Sequence, residues 1–219
     1  MGQFDPTWVP QLRARALAAI ATADPAHDEQ HIVRVVATAR LLAEGEGADP
    51  AIVLPAAWLH DCVTVAKDSP QRAGASRLAA AATTEFLSQI GYPAEALPGI
   101  AHAIEAHSFS AGIPPRTIEA RVVQDADRLD ALGAVGIART IALGGARGAP
   151  LYAAVEPFPL TRQVDDRTSV IDHFYTKLLA LAGTMQTATG RAEAAARTAF
   201  MHAFLAQLGR EIGAELPRI

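Results

Sequence analysis

His60 and Asp61 stand together at the end of an apolar run, in WLHDCVTVAKDSP, Trp58 to Pro70. An imidazole nitrogen beside a carboxylate oxygen offers two donors to a divalent cation, but two donors do not hold a metal. Others must come from elsewhere in the chain. His31, in HIVRV, shares its helix with Ile32, Val35 and Val36, which mark a buried face and bring the imidazole close to it. Asp125, in RVVQDADRLDALGAVGIAR, directly follows the apolar pair Val122-Val123. A carboxylate on an interior helix is costly unless it is paired or metal-bound. His31, His60, Asp61 and Asp125 thus make a two-nitrogen, two-oxygen set that leaves positions on an octahedral ion for water and substrate. That composition suits Mn²⁺, Mg²⁺ or Fe²⁺.

The elements that must position these groups are helices. Ala, Leu, Arg and Glu recur, apolar residues fall three and four apart, and strand-like alternation is nearly absent. A first helix is predicted from Pro6 to Ala23, where Asp24-Pro25 stops it. Asp28 caps a second, from Glu29 to Glu44, that Gly45 and Gly47 end. A third begins at Asp49-Pro50 and carries Ile52, Val53, Ala56, Ala57 and Leu59 toward His60 and Asp61, which places the pair where core meets loop. Further helices are predicted over Arg72 to Ile90, Glu95 to Ala106, Pro115 to Leu132 and Ala134 to Leu143. The Gly/Pro-rich segment from Gly144 to Asp166 is too long for an ordinary connection and reads as a functional flap or a mobile stretch, with two long helices after it. The expectation is an all-α fold in one domain over 1–219, with its chemistry in a core of about 27–143 and a C-terminal helical part of about 167–216.

Composition narrows the function. A chain of 219 residues, 50% of them apolar, can bury a full core, and a net charge of -4 gives no long-range attraction to nucleic acid polymers or anionic lipid. No apolar run reaches the roughly 18 residues of a membrane span. The lone Cys62 and the lack of a charged-then-apolar opening lead us to expect a cytoplasmic setting.

In its order, the series His31, His60-Asp61, Asp125 resembles the metal-binding signature of the HD-domain phosphohydrolase superfamily. The segments WLHDCVTVAKDSPQRAGASRLAA, AIEAHSFSAG, VVQDADRLDALGAVGIAR and DHFYTKLLAL are similar to those of the bacterial YedJ/YpgQ-like members, from about His27 to beyond Phe200. The resemblance implies a helical HD-domain bundle with one divalent ion, Mn²⁺ before Mg²⁺ or Fe²⁺, and hydrolysis of a phosphorus–oxygen bond in a small nucleotide. For this subgroup it implies attack of an activated water at the α-phosphorus of a nucleoside triphosphate, with release of pyrophosphate. Growing charge on the phosphoryl oxygens needs cations, for which Lys67, Arg72, Arg77 and Arg128 stand in or near the motif blocks, Lys67 and Arg128 foremost. His107, in EAHSFS, would give a proton to the leaving group or bind phosphate, and Asp68 or Asp127 would orient the attacking water. The oligomeric state is left open, a homodimer included.

Other readings use the same residues. A 5′-nucleotidase or phosphodiesterase fits the same metal centre, and a nucleotide-binding regulatory module fits it without catalysis. His27 and His31 in HDEQH sit as in a zinc peptidase, but Asp28 stands where the general-base Glu belongs. Cys62 reads as a small buried hydrophobe, and Phe158, Phe174 and Tyr175 as core. His102 reads as structural, although with His107 it would be the source of a second metal site. Asp130 reads as a solvated carboxylate or a partner of Arg128.

Overall fold

The computed structural model describes residues 4–20, 28–63, 65, 74–108 and 111–217, and among these there is no β-strand. The α-helices are α1 (Val9–Ile20), α2 (Glu29–Glu46), α3 (Pro50–Leu59), α4 (Ala75–Gln89), α5 (Leu97–His107), α6 (Ile118–Leu129), α7 (Gly133–Ala146), α8 (Leu179–Leu181) and α9 (Ala188–Ile212). The expected all-α class is what the chain adopts. Two helix starts lie where capping chemistry puts them: Asp28 accepts from the His31 N–H at 2.8 Å, and Asp49 from the Ala51 N–H at 2.9 Å. Gly47, at φ 67°, ends α2 in the left-handed conformation that glycine adopts without strain.

The chain divides into two compact units, Met1–Asp127 with Gln186–Gly190, and Arg128–Met185 with Arg191–Ile219. In the first, α3 is apolar all round and buried from Val53 to Leu59, and it forms the centre against which α1, α2 and α5 pack. Pro55 lies inside α3 and has no N–H to give the Ala51 carbonyl one turn back. The Tyr92 hydroxyl donates to that carbonyl instead, at 2.7 Å. α4 packs along α5. This arrangement ends α3 and α5 at His60 and His107, whose ring centroids are 5.0 Å apart.

In the second unit α7 runs on to Ala146, past the end expected at Leu143. The irregular segment after it is tied down at several points. Glu156 accepts from the Thr161 N–H at 2.6 Å, Val170 N–H donates to Pro150 O at 3.0 Å, and the buried Asp172 takes both Arg162 Nη atoms at 2.5 Å. Phe158, from the middle of the segment, is fully buried. Of the two long helices expected to follow, one is present as α9. The other is replaced by a broken run, a π-turn over Phe174–Leu178, the short α8 and a 3-10 turn over Ala182–Thr184. A π-turn changes the angular step between residues, so an apolar periodicity can be sustained without one continuous α-helix. Phe174 is buried here and stacks on Phe204 at 6.0 Å, as the core reading of the aromatics expects.

Candidate functional site

Each histidine of the site is fixed by its place in a helix. His31 lies in the first turn of α2, held there by the Asp28 cap, and is 2% exposed. His60 follows the last residue of α3, and its Nδ1 lies 2.8 Å from the Ala57 carbonyl. His107 ends α5, with Nδ1 2.6 Å from the Ile104 carbonyl. A carbonyl only accepts, so Nδ1 of both rings carries the proton, and in the neutral ring Nε2 keeps its lone pair. This backbone support is the kind that orients histidine ligands in metal sites.

The Nε2 atoms of the three rings converge on two carboxylates. His31 Nε2 is 3.6 Å and His60 Nε2 3.7 Å from Oδ1 of Asp127. Asp61 lies between the other pair, Oδ2 at 3.7 Å from His60 Nε2 and Oδ1 at 3.5 Å from His107 Nε2. Donor atoms of His31, His60 and Asp127 all fall within 4.8 Å of one another. Most of these separations exceed good hydrogen-bond lengths, and His60 Nε2 is buried with no hydrogen-bond partner among the described residues. The groups point at a shared place. Burial is the largest influence on His60 and pushes its pKa down, against the pull of Asp61 and Asp127. Burial acts the same way on His107, but the hydrogen bond and charge of Asp61, with Asp127 behind it, prevail and raise its pKa. His60 is therefore held as a neutral nitrogen donor in the field of Asp61 and Asp127. A small pocket opens beside it, walled by His60, Asp61, Ser76, His107 and Ser108.

Of the expected ligands, His31, His60 and Asp61 thus lie together, with His107 beside them; Asp125 does not join this convergence, and Asp127 is the carboxylate of α6 that lies beside His31 and His60. Two residues along α6 means about 200° around the helix, so the two carboxylates face opposite ways. Asp125 is fully buried and accepts from Gln186 N–H at 2.9 Å, Thr187 N–H at 2.8 Å and the Thr187 hydroxyl at 2.7 Å. These donors compensate its burial and anchor the start of α9.

Among the expected cations, Arg77 is exposed in the first turn of α4, and Arg128 donates to the Thr184 carbonyl at 3.0 Å. Lys67, Asp68 and Arg72 lie outside the described residues, as does His27. His102 accepts the Arg116 N–H at 3.0 Å through Nε2, in keeping with a structural role, and Asp130 pairs with Arg139 where Arg128 was expected. Cys62 is buried 3.3 Å from the Thr83 hydroxyl, and its thiol is pushed up in pKa by burial, which makes it a poor nucleophile. Ser76 and Ser108 are wall residues that the sequence did not single out, because serine at a helix end is common and carries no signal of its own.

Comparison with known proteins gives this geometry a context. The HD domain family model matches residues 29–132, which hold the whole cluster. The YpgQ protein of Bacillus subtilis is 35% identical over 206 residues, 92% of each chain. The crystal structure of B. subtilis YpgQ in complex with ADP superposes with a TM-score of 0.71 at 36% identity, covering 93% of this chain and 97% of that one. An HD-superfamily hydrolase from Bacillus thuringiensis superposes with a TM-score of 0.74 at 32% identity, covering 95% and 98%.

Proposed function

This chain belongs to the HD-domain superfamily of metal-dependent phosphohydrolases, beside YpgQ, and on that premise we propose that it hydrolyses nucleoside triphosphates to the monophosphate and pyrophosphate. The observation that carries the reading is the convergence of His31, His60 and Asp127, with a buried His60 Nε2 that has no hydrogen-bond partner among the described residues. Such a donor set fits a divalent cation. His31, His60, Asp61 and Asp127 would hold it, Mn²⁺ first and Mg²⁺ or Fe²⁺ after it. When bound, the ion supplies Lewis acidity, polarising a phosphoryl oxygen and acidifying water.

The remaining steps fall to the chain's own groups. The Ala57 and Ile104 carbonyls keep the rings of His60 and His107 turned so that Nε2 faces inward. Asp61 spans the two rings, one oxygen toward each, and lines the pocket, where its carboxylate would orient the attacking water. His107 lines the pocket wall, and on this reading it would pass a proton from Nε2 to the departing pyrophosphate. A nucleotide as substrate is supported by the relative that binds ADP. Phosphorus NMR of a mixture of nucleoside tri- and monophosphates, incubated with metal-stripped protein resupplied with Mn²⁺, tests the reading. Pyrophosphate and monophosphate should appear with wild type and be absent with Asp61→Ala. Inorganic phosphate released from the monophosphates would replace it with a nucleotidase.

A further inference from the structure

Ser76 is the second residue of α4, 3% exposed, and its hydroxyl has no hydrogen-bond partner among the described residues. A serine so placed ordinarily bonds to the helix's own backbone or to a neighbour. A buried hydroxyl without a partner is unfavourable, and it persists where something from solution completes it. Its surroundings say what that would be. Ser76 and Ala75 line the same pocket as His60, Asp61 and His107. α4 is 15 residues long, its N-cap residue Gly74 provides no side-chain hydrogen bond, and no acidic residue stands in its first turn. The first turn therefore brings no carboxylate of its own to the positive end of the helix dipole, and its N–H groups point out of the helix end. A Cβ added at Gly74 would meet nothing within 4 Å among the described residues. Arg77, exposed in the same turn, adds a cation.

We propose that the first turn of α4 and the Ser76 hydroxyl form an oxyanion subsite that binds a phosphoryl group of the substrate beside the His/Asp cluster. The inference rests on the phosphohydrolase reading and deepens it: Ser76 is a binding residue that donates its hydroxyl proton to a phosphoryl oxygen, while the helix end supplies N–H groups and partial positive charge. A hydrogen bond to a charged oxygen is worth roughly tenfold to a hundredfold in affinity.

The test is a calorimetric titration of inorganic phosphate into metal-free and Mn²⁺-loaded protein, for wild type, Ser76→Ala and Ser76→Cys, with Mn²⁺ affinity and thermal midpoint measured on the same samples. Both variants should bind phosphate at least about tenfold more weakly, with Mn²⁺ affinity within about twofold of wild type. The thermal midpoint should not fall, because the hydroxyl removed has no hydrogen-bond partner among the described residues. Cysteine keeps the volume and donates poorly, so it separates a lost donor from a lost shape. Wild type that hydrolyses nucleotides while both variants keep their phosphate affinity would overturn the subsite alone. Wild type that binds phosphate with the predicted dependence on Ser76 yet hydrolyses no nucleotide would support the subsite and overturn the functional reading. A wild type that binds no phosphate with or without Mn²⁺ overturns the subsite.

Discussion

Asp125 and Asp127, two positions apart on α6, have separable roles. Asp127 stands 3.6 and 3.7 Å from two histidine nitrogens, while Asp125 is saturated by the Gln186 and Thr187 donors. Replacing Asp127 with Asn should abolish tight Mn²⁺ binding in a calorimetric titration and leave the melting temperature of the metal-free protein nearly unchanged. Asp125→Asn should do the reverse, keeping Mn²⁺ affinity and losing on the order of 2 kcal/mol of stability, since each donor it abandons is left unpaired. If Asp125→Asn alone lost the metal, the assignment of the two carboxylates would be wrong. The same pair shows what the sequence could convey at this scale. His31, His60 and Asp61 were legible because polar groups at the edge of apolar runs need a partner, and the runs were plain to read. The rule that a buried carboxylate must be compensated points to the fully buried Asp125, whereas Asp127, the carboxylate of the same helix that lies beside the histidines, stays partly exposed, at 29%. The donors that compensate Asp125 come from residues 186 and 187, a distance along the chain over which local patterns say nothing.

Among the elements, α2 and α3 were the most legible, since Asp28, Asp49, Pro50 and Gly47 act through local chemistry that depends little on the rest of the fold. The stretch from Gly144 to Thr184 was the least. Its glycines and prolines mark irregular backbone correctly, but what holds it is a set of side chains that meet only in the folded chain, Glu156 with Thr161 and Arg162 with Asp172. Asp172 makes that dependence measurable. Burial alone would raise its pKa, but the Arg162 guanidinium, the Asp165 N–H and the Ser169 hydroxyl prevail and hold it below the usual carboxylate range. The folded value therefore lies below the unfolded one, near 3.9. The ionised carboxylate contributes stability that is fully present above about pH 4 and is lost as pH falls through the folded value. Asp172→Asn strands Arg162 and should lower stability at pH 7 by roughly 3 kcal/mol. Its melting temperature should then fall less steeply than that of wild type on acidification below about pH 4. Parallel curves for the two proteins would show that Asp172 does not titrate in this way.

Across the whole molecule the class of fold was open to reading because helical periodicity recurs from end to end, and the relatives confirm it over more than nine-tenths of the chain at TM-scores of 0.71 and 0.74. Among the described residues no single helix is long and apolar enough to cross a membrane, in line with the short apolar runs. All the groups that converge on the candidate metal position belong to the first unit, Met1–Asp127 with Gln186–Gly190, and they place two carboxylates beside three buried histidines. The cluster holds a buried His60 nitrogen that has no hydrogen-bond partner among the described residues, a group that a bound cation would satisfy. A ligand that binds only the folded chain adds RT ln(1 + [L]/Kd), which is about 2.7 kcal/mol at a hundredfold excess over Kd. Chelation should therefore lower the unfolding midpoint of wild type, and resupplied Mn²⁺ should restore it in a concentration-dependent way. Asp172→Asn lies in the second unit and should keep the full Mn²⁺ response from a lower starting midpoint, whereas Asp127→Ala should show none. A wild-type midpoint that ignores both chelator and Mn²⁺ would mean that these side chains do not hold an ion in the folded protein, and the proposed hydrolysis would lose its centre.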